Sequence, residues 1–241
     1  MTFSFRKGHS LVLGILFLSL FSHAVNAADN AVPIFWAFEA DQFEHRNQDG
    51  RDIFVWEAQG WIGTDRNKLS LKTQGEVPYG KNPESAEVQF LYKRMISRFF
   101  DAQLGIRHDI YPNPDRTYLA LGVQGLAPQW FEIDGTIFVS HKGKASLRFE
   151  AEYDVLLTQK LILSPNLELN VAFEDDKAID LGSGLAKMEM GLRLRYHINR
   201  DIAPYIGVNW DRKFGETADL ARAEHEDASE VSLVIGLRLS F

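Results

Sequence analysis

The chain has 241 residues, enough for one domain of any class, and carries 33 Asp and Glu against 26 Lys and Arg, a formal net charge of −7. That balance gives no support to a nucleic-acid partner, and the absence of Cys excludes both a disulfide framework and a thiolate metal centre. Frequent aromatics, 18 Gly and a slightly polar mean hydropathy of −0.19 exclude a helical membrane bundle but suit a barrel with a wet interior.

Arg6 and Lys7 precede the apolar run LVLGILFLSLF at 11–21, which is shorter than the ~18 residues a membrane helix needs. Val25 and Ala27 then occupy the small-residue positions before a cut between Ala27 and Ala28. This pattern predicts a secretory signal peptide over 1–27, a short N-terminal tail over 28–33, and a membrane-resident domain over 34–241 built from strands.

From residue 34 the chain alternates apolar and polar positions in segments separated by turn residues. The first, 34–46, is the least regular, and its turn carries an Asp-Gly pair at Asp49 and Gly50. Strands are predicted over 52–64, 67–77, 85–97, 99–110, 117–126 and 130–140. The clearest is 145–157, where Ala145, Leu147, Phe149, Ala151, Tyr153, Val155 and Leu157 oppose Ser146, Arg148, Glu150, Glu152 and Asp154. Segments 160–173, 186–198 and 202–214 follow, and 215–229 is the longest loop. The last strand, 230–241, places Val231, Leu233, Ile235, Leu237, Leu239 and Phe241 on one face. Pro165 lies inside a strand, where it forfeits a ladder hydrogen bond, so a bulge is expected there.

These segments make twelve strands of bilayer-crossing length. Connections after even-numbered strands are minimal, and those after odd-numbered ones are mostly longer. Short periplasmic turns alternating with outer loops produce that rhythm, so the fold class expected is all-β, a transmembrane antiparallel β-barrel in the outer membrane. The other face bears charges of both signs, too many to bury unpaired, and is expected to line a hydrated lumen. Aromatics fall into two girdles: Tyr92, Phe100, Phe131, Tyr153, Tyr196 and Phe241 toward the periplasm, Phe54, Trp56, Phe173, Trp210 and Phe214 toward the outside.

Little here has the geometry of an enzyme. His108 and Asp109 look like a dyad, but successive strand residues point to opposite faces, so a non-enzymatic role is expected. The charged rows mainly pair with one another across strands in this reading. For a metal, Met188 and Met190 fall on the lipid face, while Met95 and His197 point inward from opposite sides of the barrel. His45, His108, His141 and His225 all map to the outer rim and are the candidate metal ligands, with copper the ion that imidazole suits in either oxidation state.

The stretches WEAQGW (56–61), KTQGE (72–76), GIRHD (105–109), GVQGLAPQWFE (122–132), EAEYD (150–154), GLRLRY (191–196), APYIGVNW (203–210) and KFGETADL (213–220) closely resemble the copper resistance protein B family. The resemblance covers the chain from about Asp41 to Phe241. It implies an outer-membrane barrel that binds copper ions and contributes to copper tolerance. Outer-membrane lipid around a monomer, with other copper-resistance proteins of the periplasm as partners, is the setting expected. Family members commonly carry a Met- and His-rich segment before the barrel; residues 28–33, ADNAVP, contain neither. That departure implies either a minimal member that uses the barrel itself or one that acts mainly as a pore or partner of other resistance proteins. Beside copper binding or passage, the alternatives are a narrow solute pore without metal preference and an outer-membrane hydrolase.

Overall fold

The computed structural model describes residues 32–48 and 50–241. The signal peptide predicted over 1–27, and most of the tail after it, lie outside the described residues. Residues Ile34–Phe241 form one compact unit. Its strands are β1 (Phe35–Gln48), β2 (Arg51–Gly63), β3 (Asn67–Pro78), β4 (Ser85–Met95), β5 (Phe100–Tyr111) and β6 (Arg116–Ala127). They continue as β7 (Phe131–Ser140), β8 (Ala145–Glu152, resumed at Val155–Leu156), β9 (Leu161–Ala172), β10 (Gly184–Tyr196), β11 (Ile202–Lys213) and β12 (Ser229–Ser240). Each strand pairs antiparallel with the next, and β12 returns to β1, so the twelve strands close into a barrel with no free edge. At the seam Phe38 and Phe241 exchange backbone hydrogen bonds of 2.9 and 2.8 Å. Both barrel termini therefore share one end, the terminal end, and the longer connections share the other, the loop end.

The side-chain period of two makes this barrel the inverse of a soluble protein. Leu71, Leu104, Ile106, Leu119, Leu121, Ile206 and Leu233 are exposed on the outer wall, while Glu44, Arg46, Glu87, Arg148, Glu189, Arg193 and Arg195 are buried inside. A continuous apolar outer belt over a charged interior has bilayer hydrocarbon as its favourable surroundings. Ring contacts reinforce both ends of the belt. Phe131 and Tyr153 lie 4.7 Å apart toward the terminal end, and Phe54 and Trp56 stack at 6.3 Å toward the loop end.

Two irregularities re-aim side chains. The register of β1 slips between Ala40 and Gln42 against β2, and between Ala40 and Glu44 against β12. Asp41 is the extra residue of this bulge, so the inward-facing set runs Glu39, Asp41, Gln42, Glu44 rather than skipping every second position. That is why the first segment alternates poorly in sequence. Pro165, by contrast, sits in β9 opposite Leu192 with no register shift beside it. The bulge expected there is absent. The interruption falls instead on the neighbouring β8, which leaves strand geometry at Tyr153 and Asp154 and resumes in unbroken register with Leu163 opposite Val155. Tyr153 N–H still reaches Pro165 O at 3.1 Å, but Pro165 has no N–H to return, so the pair is held from one side only.

Part of the inner wall is apolar and packed. Leu91, Tyr118, Ala120 and Phe138 form a buried apolar cluster on the inner face of β4, β6 and β7. Gly105 of β5 stands between Leu91 and Ala120 in register, and a Cβ there would come within 2.8 Å of Leu91 Cα, so the close approach demands glycine. The Arg107 guanidinium caps the cluster, 4.7 Å above the Phe138 ring and 5.1 Å above Tyr118. At the loop end, residues 173–183 fold back so that buried Asp176 meets Arg116 of β6 at 3.3 Å. The 214–228 connection contains α1 (Gly215–Ala223), which buries Ala218 and Ala221 and lies against β10. Thr217 Oγ1 accepts the Gly182 N–H at 2.9 Å, fastening the two loops together.

Candidate functional site

The inward charges are organised into two saturated lattices and one under-compensated cavity. In the first lattice the Glu44 carboxylate, with no side-chain exposure, accepts four hydrogen bonds. Arg46 Nε (2.6 Å) and Arg193 Nη2 (2.9 Å) reach one oxygen; Arg193 Nε (3.0 Å) and the Tyr205 hydroxyl (2.9 Å) reach the other. Arg46 continues to Glu189 at 2.7 Å and Arg193 to Asn166 at 2.7 Å. In the second lattice Glu87 is gripped by both Arg148 terminal nitrogens at 3.0 Å, by Arg107 at 2.7 Å and by the Gln89 amide at 2.7 Å. Arg107 also holds Asp109 through two bonds of 2.6 and 2.8 Å. Such bidentate, charge-assisted contacts fix both partners in one geometry.

Several of these bonds run between strands that are not neighbours. Arg148 is on β8 and Glu87 on β4; Lys72 of β3 reaches Glu150 of β8 at 2.9 Å; Arg238 of β12 reaches Glu152 of β8 at 3.5 Å. The wall is braced across its own interior.

Toward the terminal end the bracing opens into a cavity of about 580 Å³ bounded by the 96–99 turn. Nine Asp or Glu line it against six Lys or Arg, so it holds an excess of negative charge and favours cations. Asp41 and Gln42, both turned inward by the β1 bulge, are among its lining residues. Glu132 lines it without an ion-pair partner among the described residues. A smaller space of about 390 Å³ adjoins the same turn, and the Met95 thioether borders both.

The four rim histidines are placed as follows. His108 Nδ1 lies 2.9 Å from Thr117 Oγ1, and His141 Nδ1 accepts the Thr117 N–H at 3.3 Å, so both contact the same threonine. His45 contacts Asp52 at 3.2 Å and packs its ring edge-on to Tyr79 at 5.6 Å. His225 follows α1 in a left-handed backbone conformation. Among the described residues no group of three or more His, Cys, Asp or Glu is arranged to hold a metal ion. The residues that reasoning from sequence did not single out are Glu44, Tyr205 and Asp41. Alternation marks them as inward at best, and only barrel closure brings Glu44 to Arg193.

Comparison with known proteins decides the family. The description "Copper resistance protein B precursor" matches residues 34–241, the whole barrel. The chain belongs to the copper resistance protein B family. It is 44% identical over 201 residues to copper resistance protein B of Escherichia coli, covering 83% of this chain and 68% of that one. It is 43% identical over 204 residues to the copper resistance protein B homolog of Pseudomonas syringae pv. tomato, covering 85% and 69%. Among solved structures, the NanC porin superposes with a TM-score of 0.54 at 13% identity, covering 84% of this chain and 98% of that one, a likeness of fold alone. The described barrel thus offers rim histidines at one end and an acidic cavity at the other, without a ready-made metal cage among the described residues.

Proposed function

We propose that this protein is a non-enzymatic barrel of the outer membrane that serves copper resistance by binding or passing copper ions, with copper as cargo rather than a resident cofactor. In this reading the protein is exported through its signal peptide, works as a monomer surrounded by outer-membrane lipid, and hands copper to or takes it from other copper-resistance proteins on the periplasmic side. What carries the reading is family membership together with the negatively charged cavity, which opens at the end nearest both barrel termini. Cations gather there for electrostatic reasons alone. The rim histidines His45, His108, His141 and His225 supply the nitrogen donors copper prefers, two of them beside Thr117.

The narrow-solute-pore reading keeps one point in its favour, the porin-like architecture. The braced interior counts against a wide aqueous path, since ties such as Arg148 to Glu87 and Lys72 to Glu150 join strands that are not neighbours. Copper titration of the folded protein in detergent, as Cu(I) and as Cu(II), separates the readings. Binding by the parent is expected, reduced either by replacing all four rim histidines with Ala or by Glu132→Gln with Asp134→Asn. If the parent binds neither ion and its bilayer conductance is indifferent to copper, the general pore takes over.

A further inference from the structure

Near the loop end, four buried oxygen atoms on the lumen wall have no hydrogen-bond partner: Gln48 Oε1, Asn209 Oδ1, Asp211 Oδ1 and Ser232 Oγ. They are neighbours. Asn209 of β11 pairs with Ser232 of β12, and Asn47 of β1 pairs with Leu233, which sets Gln48 beside Ser232 one step on. Residues paired in this way have Cβ atoms ~4.5–5.5 Å apart, so Gln48, Ser232 and Asn209 form one continuous row across three strands. Their exposures are 6%, 1% and 0%. Asp211 follows two residues along β11 on the same face.

The orientation of the Asn209 amide is settled by its neighbour. Its Nδ2 donates to Asp211 Oδ2 at 2.7 Å, and an ionised carboxylate only accepts, so the amide oxygen must turn away into the row. Unmet buried acceptors are costly, and the Gln48, Asn209 and Ser232 oxygens together call for a ligand that satisfies them, with Asp211 Oδ1 beside them facing only the Lys187 ammonium. Nearby cations are already engaged: Arg46 is bonded to Glu44, Glu189 and Gln42. Its remaining terminal nitrogen lies 3.6 Å from Asp211 Oδ2.

We propose that this row is a binding site for a hard cation of the calcium class, ligated by the Gln48 and Asn209 amide oxygens, the Ser232 hydroxyl and the Asp211 carboxylate. All the donors are oxygen, the set such ions take, and none is the sulfur or imidazole that copper favours. Lys187 is the mobile counter-charge. Its ammonium stands 3.3 Å from Asp211 Oδ1 and 3.6 Å from both Glu76 and Glu189, and its side chain is about a third exposed. It swings to those glutamates when the ion enters and guards Asp211 when the ion is absent.

The test uses the folded full barrel in detergent, calcium chloride as the probe, calorimetric titration for affinity and a thermal melt for linkage. Calcium is expected to bind and to raise the melting temperature. Ser232→Ala, which removes one ligand, weakens binding roughly ten-fold, the scale of losing one supporting contact at a metal site. Lys187→Met, which removes the competitor, tightens it several-fold, a gain that no merely structural role of Lys187 produces. Gel mobility of unheated samples verifies that each variant is folded. A parent that melts at the same temperature with and without millimolar calcium, or variants that bind as the parent does, overturns the proposal and assigns the four oxygens to ordered water.

Discussion

The two lattices and the terminal-end cavity are built from the same residue types, yet they behave as different materials. At Glu44 every carboxylate lone pair has a donor, and Arg46 beside it is 3% exposed. In the cavity Glu152 shares Arg195 and Arg238 at a third exposed, and Glu132 has no ionic partner among the described residues. The lesson is that charge count does not assign a role; saturation does. Charges that meet all their partners hold the wall in place, whereas surplus charges in water are available to a visiting ion.

The sharpest break in that contrast is Glu44→Ala. It strands Arg46, Arg193 and the Tyr205 hydroxyl in a dry site, and a loss of ~3–5 kcal/mol is expected in denaturant unfolding of the detergent-folded barrel. Gly105→Ala comes next, by driving a methyl against the β4 backbone, at ~1–3 kcal/mol in the same assay. Arg148→Ala removes a cross-bore tie to Glu87, and the expected readout is a higher single-channel conductance in planar bilayers. Glu132→Gln in the cavity should change stability by less than ~0.5 kcal/mol while lowering cation occupancy, the reverse of the Glu44 result.

The smallest effect is at the loop end. Burial, followed by the neighbouring Glu76 and Glu226 carboxylates, raises the pKa of Glu84 above the usual range. A raised carboxyl pKa makes the ionised form unfavourable in the folded state, so stability falls as pH rises through that pKa. Glu84→Gln should therefore match the parent in acid and be marginally more stable at neutral pH, as a pH series of melts will show.

Much of the wall was legible because period two leaves few choices. The strand predicted over 145–157 and the terminal strand over 230–241 land within a few residues of β8 and β12, and their apolar rows face outward as alternation requires. Even the irregularity of 34–46 was informative, since the inserted Asp41 explains it. The bulge expected at Pro165 does not form: a proline lacks a donor, but its partner strand at Tyr153 is the one that leaves the ladder. The helix α1 was invisible, a nine-residue segment with no side-chain cap, stabilised by packing Ala218 and Ala221 on a wall the local sequence does not show. The pairing of Glu44 with Arg193 was equally hidden, because two strands that never hydrogen-bond to each other meet only once the sheet has curled shut. His108 and His141 converge on Thr117 through the register of β5, β6 and the 141–144 turn, which alternation alone does not fix.

The ties between β3, β4 or β12 and β8 have a consequence for anything that crosses. Like spokes, they join strands on opposite parts of the wall, so an ion held in the terminal-end cavity meets fixed charges on more than one side. Cutting one spoke therefore loosens two strands at once, and its cost is felt on the far wall as well as the near one.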